Sequence, residues 1–127
     1  MNIPEELKYT KDHEWVRIEG EYIVIGVTDF AQKELGDIVY VDVDTLGEIL
    51  NADDIFGSIE AVKTVSDLFM PISGEVISIN SKLETNPDLV NEYPYSAGWI
   101  IKVKIDNLDP DIKLLTSDEY KKHIGLE

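Results

Sequence analysis

Apolar and polar positions alternate along much of this chain with a period of two, the mark of half-buried strands. Trp15-Val16-Arg17-Ile18-Glu19 alternates; Gly20-Glu21 then offers a turn before the β-branched run Tyr22-Ile23-Val24-Ile25. Ile38 to Val43, Ile55 to Val62, Thr64 to Phe69, Glu75 to Ile79 and Trp99 to Ile105 continue the pattern. Short strands separated by turn signals predict a sandwich or barrel. Helical signals are brief and peripheral. Asp29 is placed to cap a helix over Phe30 to Leu35, with Gln32 three residues on and Gly36 as its stop. Asn86-Pro87 and Asp109-Pro110 each predict a short helical turn. Thr116 and Glu119 match a capping box for a final helix, with Lys121, Lys122 and His123 near its end and Gly125 beyond it. Gly36-Asp37-Ile38-Val39-Tyr40-Val41 is echoed by Gly74-Glu75-Val76-Ile77-Ser78-Ile79, which suggests a sheet built from two similar halves.

A chain of 127 residues fits one domain and can bury about two-thirds of its unfolded surface. Its 43% hydrophobic content argues for a folded core. The absence of cysteine removes disulfides, thiolate metal sites and cysteine nucleophiles. The net charge of −15 repels phosphate backbones and anionic lipid surfaces, so no nucleic-acid or membrane partner is expected. No run approaches the roughly 18 apolar residues of a membrane span. No targeting segment is visible, so the cytoplasm is the expected compartment, with the mitochondrial matrix an option only for a processed form. A monomer is expected.

The charge pattern singles out one residue. Between Lys33 and Lys82 the only Lys or Arg is Lys63, and ten acids share residues 34 to 81. Two largely apolar arms, Ile55 to Val62 and Thr64 to Phe69, meet at this lysine and predict a hairpin with Lys63 at its tip. Tight hairpins favour Gly, Asn or Asp for positive φ, and none stands here. Glu60 and Asp67 flank the amine at near-equal spacing. An exposed amine between acids is what a modifying enzyme can recognise. Catalytic patterns are thin by comparison. His13 stands between Asp12 and Glu14, a constellation that supports either a general base or a surface histidine. There is no Gly-x-Ser-x-Gly elbow and no phosphate loop. Trp15 and Trp99 read as core aromatics, and Tyr93-Pro94-Tyr95 as a turn.

Glu60-Ala61-Val62-Lys63-Thr64-Val65-Ser66-Asp67 resembles the lipoylation motif of the glycine cleavage system H proteins. Tyr9-Thr10-Lys11-Asp12-His13-Glu14-Trp15, Leu35-Gly36-Asp37-Ile38-Val39, Pro71-Ile72-Ser73-Gly74-Glu75-Val76 with Asn80, Pro94-Tyr95 and Gly98-Trp99 match that family in order and spacing. The resemblance implies a mainly β, lipoyl-domain-like barrel-sandwich hybrid with short peripheral helices and a C-terminal helix. It implies a single domain over residues 1–127, with terminal extensions around a lipoyl-like core. It implies lipoate held by an amide to Lys63, with Glu60, Val62, Thr64, Ser66 and Asp67 read by the modifying enzyme. Glu14, Asp67 and Asp12 are expected to line an acidic cleft for the end of the arm. The protein is expected to be a carrier and not an enzyme. Its implied partners are a decarboxylating glycine dehydrogenase (P protein), an aminomethyltransferase (T protein) and a dihydrolipoyl dehydrogenase (L protein). A lipoate ligase, or an octanoyltransferase with lipoyl synthase, would load the arm. A lysine amine is cationic at neutral pH, so Lys63 is expected to need such an enzyme. An alternative role is an octanoyl or lipoyl relay to other lipoyl domains. A biotin carrier is disfavoured because Val62 and Thr64 stand where such carriers have Met. The chain departs from the family's usual residues at Ala61, at Val43-Asp44, at Phe30 and Glu34, where imidazoles are frequent, and at Asp12.

Overall fold

The computed structural model describes residues 1–105 and 114–126. It is mainly β, with two antiparallel sheets and short helices at the periphery. The first sheet has six strands in the order β1-β2-β3-β9-β8-β5: Lys8–Tyr9, Glu14–Glu19, Tyr22–Val27, Ile101–Lys104, Gly74–Ile79 and Ile49–Leu50. The second has three, β4-β6-β7: Ile38–Asp42, Ile55–Ala61 and Val65–Phe69. The two echoed segments become β4 and β8, one in each sheet.

Packing follows from the residue pattern. Tyr22 to Ile25 shows no alternation because β3 is buried on both faces. Ile23, Ile25 and Val27 join Ile59, Leu68, Val76 and Val103 in the core between the sheets. Val24 turns the other way, into a second cluster with Ile3, Leu7, Tyr9, Trp15 and Tyr120. That cluster roots the C-terminal helix. Tyr9 and Tyr120 stack with ring centroids 4.8 Å apart. Trp15 is fully buried, and its Nε1 donates to the Pro94 carbonyl at 2.8 Å. The indole lies so close to Gly26 that a Cβ there would fall 2.6 Å from the ring.

The helices depart from expectation in instructive ways. Helix α1 is Asp29–Leu35, and its N-cap is Thr28, not Asp29. The Thr28 hydroxyl accepts from Ala31 N–H at 3.1 Å, while Asp29 accepts from the Asn2 N–H and the Gln32 amide. A 3-10 turn at Ser81–Glu84 follows β8, and α2 covers Leu89–Glu92, just after Pro87. Helix α3 is Ser117–His123, and its capping box is complete. Asp109-Pro110 lies outside the described residues. Trp99 precedes β9 and is only partly buried; the Lys102 ammonium sits 4.9 Å above its ring. The two-residue strands β1 and β5 are too short to leave an alternation.

Candidate functional site

The hairpin of β6 and β7 holds one register from Ser58↔Asp67 through Glu60↔Val65. Its loop is therefore the pair Val62-Lys63, closed by Ala61 N–H donating to the Thr64 carbonyl at 2.8 Å. Among the described residues, the only non-glycines at positive φ are His13 and Asp53, so the tip forms without a left-handed residue. Its neighbours hold it instead. Val62 N–H donates to the Asp37 carbonyl at 3.0 Å, tying the tip to the start of β4. Lys63 itself is exposed, and Val62 beside it is 76% exposed. Glu60, Thr64, Ser66 and Asp67 are all exposed around it.

The lysine stem lies over Gly36. A Cβ at Gly36 would sit 3.4 Å from Lys63 Cε and 3.9 Å from Nζ. Gly36 also closes α1 at φ +80, its N–H donating to the Gln32 carbonyl at 3.0 Å. One glycine thus ends the helix and leaves a smooth bed for the stem.

Glu34 and Leu35, the two residues before Gly36, line a cleft of about 170 Å³. Val27, Ala31, Ile59 and Leu68 give it an apolar lining, while Asp12, Glu34 and Asp67 contribute three exposed acids. Asp12 and Asp67, far apart in sequence, both line this cleft. Glu14 does not line this cleft. Its side chain is buried between the Thr10 hydroxyl at 3.4 Å and Phe69 N–H at 2.9 Å. Burial pushes its carboxyl up to about 8, against the pull of the Phe69 hydrogen bond. Burial thus favours the protonated carboxyl over the carboxylate at this position.

His13, marked in the sequence only by its acidic neighbours, forms part of the cleft wall. Its Nδ1 lies 2.9 Å from the Tyr120 hydroxyl, which lies 2.7 Å from Thr28 Oγ1. Its ring packs 4.8 Å from Phe30 and 5.6 Å from His123. Burial, then the neighbouring His123, lower the imidazole below its ordinary range despite Asp12 and Glu34. Of the cleft residues the sequence did not single out, Ile59 and Leu68 were findable as inward positions of alternating strands. His13 and Glu34 depended on how α1 and α3 close against β2.

The model of the glycine cleavage H-protein family matches residues 7–126. The chain belongs to the glycine cleavage H-protein family. Relatives agree over nearly their whole length. The glycine cleavage system H protein of Bacteroides thetaiotaomicron is 52% identical over 121 residues, covering 95% of this chain and 96% of that one. That of Halalkalibacterium halodurans is 49% identical over 126 residues, covering 99% and 98%. The crystal structure of the Mycobacterium marinum glycine cleavage system H protein superposes with a TM-score of 0.88 at 36% identity, covering 97% of this chain and 99% of that one. The H-protein fold, a lipoyl-domain barrel-sandwich, is therefore the fold of this chain. As an H protein it is a carrier component of the glycine cleavage system by family. Among the described residues no helix is long and apolar enough to cross a membrane.

Proposed function

We propose that Lys63 carries lipoate in an amide and that the chain presents this arm to the enzymes of the glycine cleavage system without catalysing a step itself. The observation that carries the reading is the position of Lys63. It stands at a two-residue hairpin tip, with its stem on Gly36 at the side of an acid-bearing cleft. When bound, lipoate would supply a dithiolane whose S–S bond opens as one sulfur takes up the aminomethyl group left by decarboxylation of glycine, and which oxidation would close again once that group had been passed on and the dithiol freed. The residues present fit such a group: Gly36 adds no side chain beneath the stem, and the cleft lining is apolar with acids at hand.

In this reading Val62 and Lys63 project far enough for an enzyme active site to enclose the tip. Glu60, Val62, Thr64, Ser66 and Asp67 form the exposed surface that a lipoate ligase or octanoyltransferase recognises. Asp12 and Asp67 hold the cationic end of the loaded arm, and the apolar lining keeps water from it. Glu14 stands behind them, fixing β7 through Phe69 N–H. The chain offers the arm in turn to the decarboxylating glycine dehydrogenase, the aminomethyltransferase and the dihydrolipoyl dehydrogenase.

Incubation with a lipoate ligase, lipoate and ATP, followed by intact mass and peptide mapping, tests the attachment site. The expected result is a gain of one lipoyl group on Lys63 and none in Lys63→Arg. Lipoylation elsewhere, or none on a folded chain, would overturn it. An octanoyl group alone on protein purified from its host, with no lipoyl form, would favour a relay.

A further inference from the structure

The three-stranded sheet has two edges, β7 and β4. At the β7 edge, Phe69 N–H is taken by Glu14 Oε2 at 2.9 Å, while Met70 N–H turns back to the Asp54 carbonyl at 2.7 Å and prolongs the pairing with β6. At the β4 edge, the register fixes where the backbone points. Ala61 N–H turns toward β7, and Val62 N–H turns the opposite way, to Asp37. By alternation Glu60 and Ser58 turn theirs to β4, where they face Tyr40 and Asp42. Val41, between those two, directs its N–H and C=O away from β6. Ile38, across the bulge, also points outward, and there Asn91 Oδ1 accepts its N–H at 3.0 Å. Val41 N–H has no such partner among the described residues. Strand edges are commonly blunted by Lys, Pro or a covering element; beyond the bulge, Tyr40 to Val43 carry neither Lys nor Pro, and the element packed beside them is the 3-10 turn Ser81–Glu84.

This edge forms one wall of a groove of about 290 Å³, and the Ser81–Glu84 turn forms part of the wall across it. Val43, Ile79 and Leu83 make it apolar, Asp42 and Glu84 are exposed acids, and no lining residue is cationic. It borders β4, whereas the arm cleft borders β7, so the two lie along opposite edges of one sheet.

We propose that this groove docks an extended, cationic segment of a partner protein, which adds to β4 as a fourth strand. An unpaired strand edge is satisfied by another extended backbone, and an apolar groove accepts the alternate side chains of that strand. The acids select Lys or Arg at the positions between. A second copy of this chain is disfavoured, since two chains of charge −15 repel. Docking at β4 does not depend on what Lys63 carries.

The test is a nuclear magnetic resonance titration of the nitrogen-labelled full chain with a capped hexapeptide of alternating Lys and Val. Saturable shifts are expected at the Val41 and Val43 amides and along Ser81–Glu84, with the Lys63 tip unmoved. A Glu–Val hexapeptide should produce none. Glu84→Lys, at an exposed position, should weaken binding about tenfold. Val41→Pro should abolish it while leaving the β4-β6 ladder intact, because Val41 N–H takes no part in that ladder. Shifts spread over the acids generally, or an unchanged affinity in Glu84→Lys, would overturn the proposal. So would movement of the same amides on raising protein concentration without peptide, which would mean that a second copy occupies the edge.

Discussion

Gly36 and Glu14 show how single positions set the site. At φ +80 any side chain at Gly36 is strained, though a methyl would only touch Lys63 Cε at 3.4 Å. With ψ at −153 the backbone lies in a region that essentially only glycine occupies, so Gly36→Ala is expected to cost about 1–3 kcal/mol of stability, read as a lowered urea midpoint, with Lys63 still lipoylated. An unchanged midpoint would mean that the backbone at position 36 relaxes freely. Glu14 makes a pH prediction. Its folded carboxyl, raised by burial to about 8, holds its proton where the unfolded chain has released it. Between the unfolded value and about 8 the native state binds more protons, so stability falls as pH rises through that window. Glu14→Gln keeps an acceptor for Phe69 N–H and should flatten the decline between about pH 5 and 8. An identical pH slope in the variant would contradict the buried-proton assignment. Lys63 was legible from sequence because its isolation among acids is a one-dimensional fact. The bed beneath it was not, because Gly36 reads equally well as a helix stop.

At the scale of elements, the hairpin and the last helix were both legible, and for the same reason: each rests on local chemistry. Thr116 caps α3 reciprocally with Glu119, as their spacing requires. Thr116→Ala should lower stability by about 1 kcal/mol, and a calorimetric scan with no change would show that α3 is held by Tyr120 alone. Helix α1 was placed correctly but capped wrongly, because Thr28 and Asp29 are both good caps and only tertiary contacts choose between them. Asn2 draws Asp29 away from the cap and frees Thr28 for it. Gly26 tells the same story for β3. The run reads as a strand with a weak glycine, and only the Trp15 ring, 2.6 Å from where a Cβ would sit, explains it. Gly26→Ala should destabilise by about 1–3 kcal/mol through overpacking, with blunted near-ultraviolet tryptophan dichroism; native dichroism at full stability would contradict the close approach.

For the whole molecule, two sheets share one core, and the acidic surface surrounds a single exposed lysine tip. The barrel-like architecture was legible in the strand pattern. The strand pattern alone did not place residues 12, 34 and 67 in one cleft, since that depends on how far the helices close over the sheets; Asp12 and Asp67 were grouped only through the family resemblance. A chain with 26 acids against 11 Lys and Arg should approach basic partner surfaces by long-range attraction. Its apparent KM as a substrate for the partner enzymes should therefore rise several-fold between low and physiological salt, with kcat little changed. The carrier role is tested most directly by glycine–bicarbonate exchange with purified decarboxylating glycine dehydrogenase. Exchange should saturate with the lipoylated protein and vanish with Lys63→Arg or the unmodified chain. Equal exchange with and without the arm, or none with the fully lipoylated protein, would contradict it.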